Sequence, residues 1–160
     1  MSATGVWALL VYSVPREPST PRISVWRKLK RLGVAQLADS VVALPLDARN
    51  REQLEWIADE VREAGGEAAL WLAEPTSVAQ ERELVRGLAG TRAEEYSAVA
   101  AEAHQAVDAA GPERRRVLVR LRRELRRIAK RDYFPPAERE HARQAVRHLA
   151  DAAAAEEQRA

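Results

Sequence analysis

Apolar and polar positions follow two different rhythms along this chain. Val6-Trp-Ala-Leu-Leu-Val-Tyr-Ser-Val14 is a short apolar block stopped by Pro15, the pattern of a strand buried on both faces. After a polar, Pro-containing loop, Thr20 with Pro21 has the form of an N-cap followed by a first helical residue. The spacing of Val25, Trp26, Leu29 and Leu32 predicts a helix ended by Gly33. Val34–Ala38 and Val41–Leu44, divided by Asp39-Ser40, predict a hairpin. Asp47 can cap a second helix carrying Leu54, Ile57 and Val61, which Gly65-Gly66 closes. Glu67–Ala73 then predicts a fourth strand before Pro75. The order β-α-β-β-α-β is that of a ferredoxin-like split βαβ domain, an α/β sheet of four strands backed by two helices.

Beyond residue 75 the rhythm becomes helical throughout. Thr76 or Ser77 can cap a helix ending near Gly90, and an Ala-rich run from Arg92 to Ala110 predicts another. Gly111-Pro112 breaks the chain. Val117, Leu121, Leu125 and Ile128, spaced four, four and three apart, then predict a helix from Glu113 to about Arg131. Pro135-Pro136 ends it, and a last helix is expected from Ala137 to about Ala150. The expected organisation is a sheet domain over 1–75, a helical extension over 76–150, and a frayed tail over 151–160 that has little to bury.

Composition adds bounds. The 160 residues are 46% apolar and 31% charged, with no cysteine, which excludes disulfides and thiolate metal sites. The start lacks a basic leader region, and the only apolar run is too short to cross a bilayer, so a cytoplasmic protein without membrane contact is expected. The net charge of +2 conceals a strong asymmetry. Residues 113–131 hold ten basic residues against two acids, a segment charge of +8 that leaves −6 on the remainder. A second cluster (Arg22, Arg27, Lys28, Lys30 and Arg31) has no acid within it. Such clusters suit phosphate contacts, which release condensed counterions and give salt-dependent affinity. They equally suit solvated helix faces whose arginine stems cover apolar surface.

Chemistry beyond charge is sparse. There is no phosphate-cradling glycine pattern and no nucleophile elbow. Glu138 and His141 stand three apart, as in one half of a carboxylate metal site, but the pattern occurs once and no metal site is expected from it. His104 lies among small residues that could leave room for a planar cofactor such as haem, beside the simpler reading of an ordinary core or surface histidine. Trp7, Trp26, Trp56 and Trp71 all fall in predicted elements and are expected to pack between sheet and helices. Only Trp26 has the basic neighbours that a base-stacking platform would want. Asp132-Tyr-Phe-Pro-Pro136 is expected to form a rigid corner with Tyr133 and Phe134 docked inward.

Taken together, several segments resemble the N-terminal domain of ChrB-type chromate-resistance proteins. They are Trp7-Ala-Leu-Leu-Val-Tyr-Ser-Val-Pro15, Pro18-Ser-Thr, Arg22-Ile-Ser-Val-Trp-Arg-Lys-Leu-Lys-Arg-Leu-Gly33, Asp39-Ser-Val-Val-Ala-Leu-Pro45, Asn50-Arg-Glu-Gln-Leu-Glu-Trp-Ile-Ala58, Gly65-Gly-Glu-Ala68 and Arg131-Asp-Tyr-Phe-Pro135. The first half is also similar to the ferredoxin-like middle domain of phenylacetate-type repressors and to the small CRISPR-associated integration subunit. The ChrB resemblance implies a cytoplasmic, chromate-responsive, DNA-binding regulator of a chromate efflux operon, with an oxyanion or metal input. Longer members continue into a second, C-terminal domain near the point where this sequence ends, so a short form is expected.

The expectation carried forward is a homodimeric regulator in which Arg22, Arg27, Lys28, Lys30, Arg31, Arg115, Arg116, Arg122, Arg123, Arg126 and Arg127 contact the DNA backbone. No helix-turn-helix is recognisable, which argues against sequence-specific readout by this chain alone. The alternative is a small-molecule protein, catalytic or not, holding an oxyanion, a metal or a haem through arginines or through His104, His141 or His148. A structural interaction partner is the third reading.

Overall fold

The computed structural model describes residues 5–160, so the reading of a leader-free start over 1–4 lies outside the described residues. The elements run β1 (Trp7–Ser13), α1 (Ser19–Leu32), β2 (Ala35–Ala38), β3 (Val41–Pro45), α2 (Ala48–Glu63), β4 (Glu67–Ala73), α3 (Val78–Ala106), α4 (Gly111–Lys130) and α5 (Glu138–Arg159). Two compact units divide the chain, one ending at Leu88 and the other spanning Ala89–Ala160.

In the first unit the four strands form one antiparallel sheet in the order β2-β3-β1-β4, the split βαβ arrangement. Ala8, Leu10, Val42 and Leu44 are buried on the strands, and Val25, Leu29, Leu54, Ile57 and Val61 on α1 and α2. The local signals explain the turns. Gly33 caps α1 at φ 74°, in the left-handed region that a side chain would disfavour. Asp47 caps α2 by accepting a hydrogen bond from the Asn50 backbone N–H at 2.6 Å. Asn50, fully buried, donates from its side-chain amide to the Pro45 carbonyl at 2.9 Å and so ties the end of β3 to α2. Gly66 has no room for a side chain, because a Cβ there would stand 2.2 Å from the Ser13 carbonyl oxygen.

In the second unit the later turns of α3 pack with α4 and α5. Tyr96, Val99, Ala103, Leu118, Leu121, Ile128, Ala142, Val146 and Leu149 lie in one buried cluster, with Val117 and Leu125 half-buried against it. The four-residue stripe read along α4 therefore faces this core, together with Leu118.

Four local expectations are corrected. The α1 N-cap is Pro18 rather than Thr20, and no side chain caps the helix start. One helix, α3, replaces the two expected around Gly90. Gly87 and Gly90 do not take the left-handed φ that would end it, and their weak helix propensity is outweighed by the helical residues on both sides. The tail does not fray. α5 continues to Arg159 because Ala153 is buried under the core and Glu156 pairs with Arg114 at 3.0 Å. Of the tryptophans only Trp7 is buried. Trp26, Trp56 and Trp71 are 52%, 58% and 60% exposed, since each projects from the outer side of its element.

Candidate nucleic-acid interface

The basic residues of α4 separate into those held by the fold and those left outside it. Arg114 is half-buried and donates to the carbonyls of Ala109 and Ala152 and to Glu156, closing the ends of α4 and α5 together. Arg131 donates to Glu95 at 2.9 Å, and Arg120 pairs with Glu102. Arg116 and Arg127 sit 3.6 Å from Glu113 and Glu124 on their own helix, exposed pairs worth little in water. Arg115, Arg122, Arg123 and Arg126 remain exposed, with no carboxylate partner among the described residues.

Helical geometry sets Arg123 and Arg126 away from the buried stripe, with Arg115 and Arg122 on its flank. At 1.5 Å rise per residue, Arg115 and Arg122 are about 10 Å apart along the axis, and Arg122 and Arg126 about 6 Å. Val119, 56% exposed, lies between them. Arg122 also reaches α5, lining with Arg147, Val146, Ala150 and Asp151 a depression of about 380 Å³. Arg143 and Arg147 on α5 extend positive charge beyond α4, and Arg147 is paired with Glu140 at 2.9 Å. Sequence reading passed over them because acids interrupt the run.

On α1 the outer face carries Arg22, Ile23, Trp26, Arg27, Lys30 and Arg31, all exposed. The Lys30 ammonium lies 4.4 Å from the centre of the Trp26 ring, a cation–π contact. Lys28 turns the other way, donating to Glu60 at 2.5 Å, while the Ser24 hydroxyl donates to the same carboxylate at 2.9 Å. The Lys28 hydrogen bond holds the Glu60 carboxyl below the usual carboxylate range. Lys28 is thus engaged with α2, whereas Arg27 and Arg31 are open.

The Asp132-Tyr-Phe corner is structural. Tyr96, 1% exposed, donates its hydroxyl to Asp132 at 2.8 Å, and burial followed by that bond pushes the phenol up to about 12. The buried Arg92 donates to Glu95 at 3.0 Å and to the Arg131 carbonyl at 3.3 Å. Tyr133 and Phe134 are half-buried, as expected of a docked corner. His104, His141 and His148 are all exposed. Among the described residues no three His, Asp or Glu side chains come together as metal ligands, and no helix is long and apolar enough to cross a membrane.

Comparison with known proteins adds a family. The model described as "Protein ChrB, N-terminal" matches residues 22–159. The chain is similar to Protein ChrB of Cupriavidus metallidurans, with 30% identity over 133 residues. The match covers 81% of this chain and 40% of that protein, so the chain spans less than half the length of its curated relative. No solved structure gives a significant match.

Proposed function

This chain belongs to the ChrB N-terminal family, and from that membership we propose that it is a DNA-binding regulator of chromate or oxyanion resistance acting through the phosphate backbone. The family relation associates it with chromate resistance. The observation that carries the regulatory reading is the outer face of α4, where Arg115, Arg122, Arg123 and Arg126 stand exposed without carboxylates to neutralise them. An arginine fork suits phosphate oxygens, and the axial spacings of about 6 and 10 Å let successive side chains meet different phosphates of one duplex. The open cations of α1 (Arg22, Arg27, Lys30 and Arg31) offer a second contact surface of the same chemistry. These contacts position a protein on DNA without reading its sequence.

The test is fluorescence anisotropy with a labelled duplex across a salt series from about 50 to 200 mM. Phosphate binding through these arginines requires affinity to fall steeply as salt rises. Affinity that ignores salt, or no binding at low salt, overturns the proposal.

A further inference from the structure

The free edge of the sheet carries an inference that goes beyond DNA contact. β4 is an edge strand, seven residues long, reading Glu-Ala-Ala-Leu-Trp-Leu-Ala. Edge strands are normally blunted by lysine, proline, a bulge or a very short length. The opposite edge, β2, has four residues and an irregular register. From Leu70 onward β4 has none of these protections.

The direction of its backbone groups follows from the register. The Tyr12 N–H points toward β3, donating to Ser40 at 3.0 Å, so the odd-numbered residues of β1 face β4. Their partners are Glu67, Ala69, Trp71 and Ala73. The N–H and C=O groups of Ala68, Leu70 and Leu72 therefore point outward. The Ala68 carbonyl is covered, accepting from the Arg62 guanidinium at 3.0 Å. Leu70 and Leu72 are left with outward donors and acceptors and nothing in the described residues to meet them. Between them Trp71 projects from the sheet face opposite α2, 60% exposed, with Leu72 48% exposed beside it.

We propose that β4 pairs antiparallel with β4 of a second copy of this chain about a two-fold axis at Trp71. In that register Leu70 of one protomer faces Leu72 of its partner, and the reverse, each pair exchanging both backbone hydrogen bonds. Trp71 stands directly opposite its symmetry mate in a non-hydrogen-bonded pair, where side chains come closest. The pairing stops at Ala68, where Arg62 already occupies the carbonyl, so the register is bounded by the structure. A second copy is the favoured occupant because the flanking helix is complementary to itself. α2 runs beside a groove of about 500 Å³ lined by Arg51, Glu55, Asp59, Arg62, Leu70 and Leu72. With Arg62 level with Ala68, the helical and strand rises place Asp59 near residue 69 and Arg51 near residue 73. A two-fold at residue 71 then brings Arg51 of each protomer opposite Asp59 of the other. Within a protomer Arg51 sits 3.2 Å from Glu55 and Asp59 sits 3.0 Å from Arg62 on the same helix, and such exposed pairs can exchange partners at little cost.

The experiment uses the absence of cysteine from the sequence. In Trp71→Cys the only thiols lie across the axis, at a Cα separation of about 4.5 Å that fits a disulfide. Mild oxidation is expected to give a covalent dimer, while Trp56→Cys, equally exposed on α2, stays monomeric. Sedimentation of the unmodified chain is expected to show a concentration-dependent dimer that Leu72→Lys weakens by about tenfold or more. Arg51→Glu is expected to weaken it as well, and Arg51→Glu with Asp59→Arg to restore it. A monomer at all concentrations, or a dimer that ignores Leu72→Lys and does not cross-link through residue 71, overturns the proposal. No nucleic acid enters the assay, so its outcome is independent of the regulatory reading.

Discussion

Replacing Arg122 and Arg126 together by glutamine tests the phosphate reading most directly. Both are exposed on the outer face of α4, neither holds the fold, and their removal leaves the buried stripe intact. Each arginine–phosphate contact with duplex DNA contributes about −0.9 to the slope of log affinity against log salt. The four unpartnered arginines of α4 would give a slope of about −3.6, so a fourfold rise in salt weakens binding by about 150-fold. The double variant should lose about 1.8 from that slope, and the same salt rise should then weaken binding by only about 12-fold. If α1 also touches DNA, both slopes steepen equally and the difference remains. Anisotropy titrations at five or six salt concentrations, with the parent and the double variant side by side, measure it. Arg120→Gln, which removes a cation already paired with Glu102, is the control and should leave the slope nearly unchanged. Equal slopes for parent and double variant, or an equal loss in the control, would refute the reasoning.

Three further substitutions concern the fold. Tyr96→Phe removes the donor to Asp132 and should destabilise the second unit by about 1–3 kcal/mol, read as a lower midpoint in thermal unfolding followed by circular dichroism. The same hydroxyl gives a pH signature. Its folded pKa of about 12 lies above the ordinary value of 10.0, so its stabilising contribution is complete below pH 10 and is lost as pH rises from there toward 12. Tyr96→Phe should flatten that alkaline loss in a denaturant series. Gly66→Ala should cost about 2 kcal/mol or more, since the added carbon meets the Ser13 carbonyl oxygen and either β1 or β4 must shift; chemical denaturation that shows no loss would contradict the close approach. Asn50→Ala should cost about 1–3 kcal/mol by leaving the half-buried Pro45 carbonyl without its donor, measured the same way.

How much was legible beforehand differs by element. The succession of strands and helices followed from sequence because each strand is a short apolar block bounded by Pro, Gly or Asp, and such local signals act over a few residues. Gly33 and Asp47 act where their positions imply, through a left-handed cap and a side-chain acceptor. The apolar stripe of α4 was legible for the same reason, since its period is that of the helix itself. Gly90 misled because a glycine marks a helix end only when the chain needs a left-handed residue there, a need that the surrounding packing settles. The tail misled because Ala153 and Glu156 look inert until Arg114 and the helical core are beside them.

The interface divides along the same line. The chain by itself determined that α4 and α1 carry dense positive charge, because composition and helical period are properties of neighbouring residues. Only the tertiary structure decided which cations stay open, because carboxylates from distant segments reach some of them. Glu60 reaches Lys28, Glu95 reaches Arg131 and Glu102 reaches Arg120, leaving Arg115, Arg122, Arg123 and Arg126 exposed. The free edge of β4 and the outward face of Trp71 likewise belong to topology, since a strand becomes an edge only through the order in which others pair. Electrostatic neutralisation and strand pairing act between residues far apart in sequence, where local pattern carries no information.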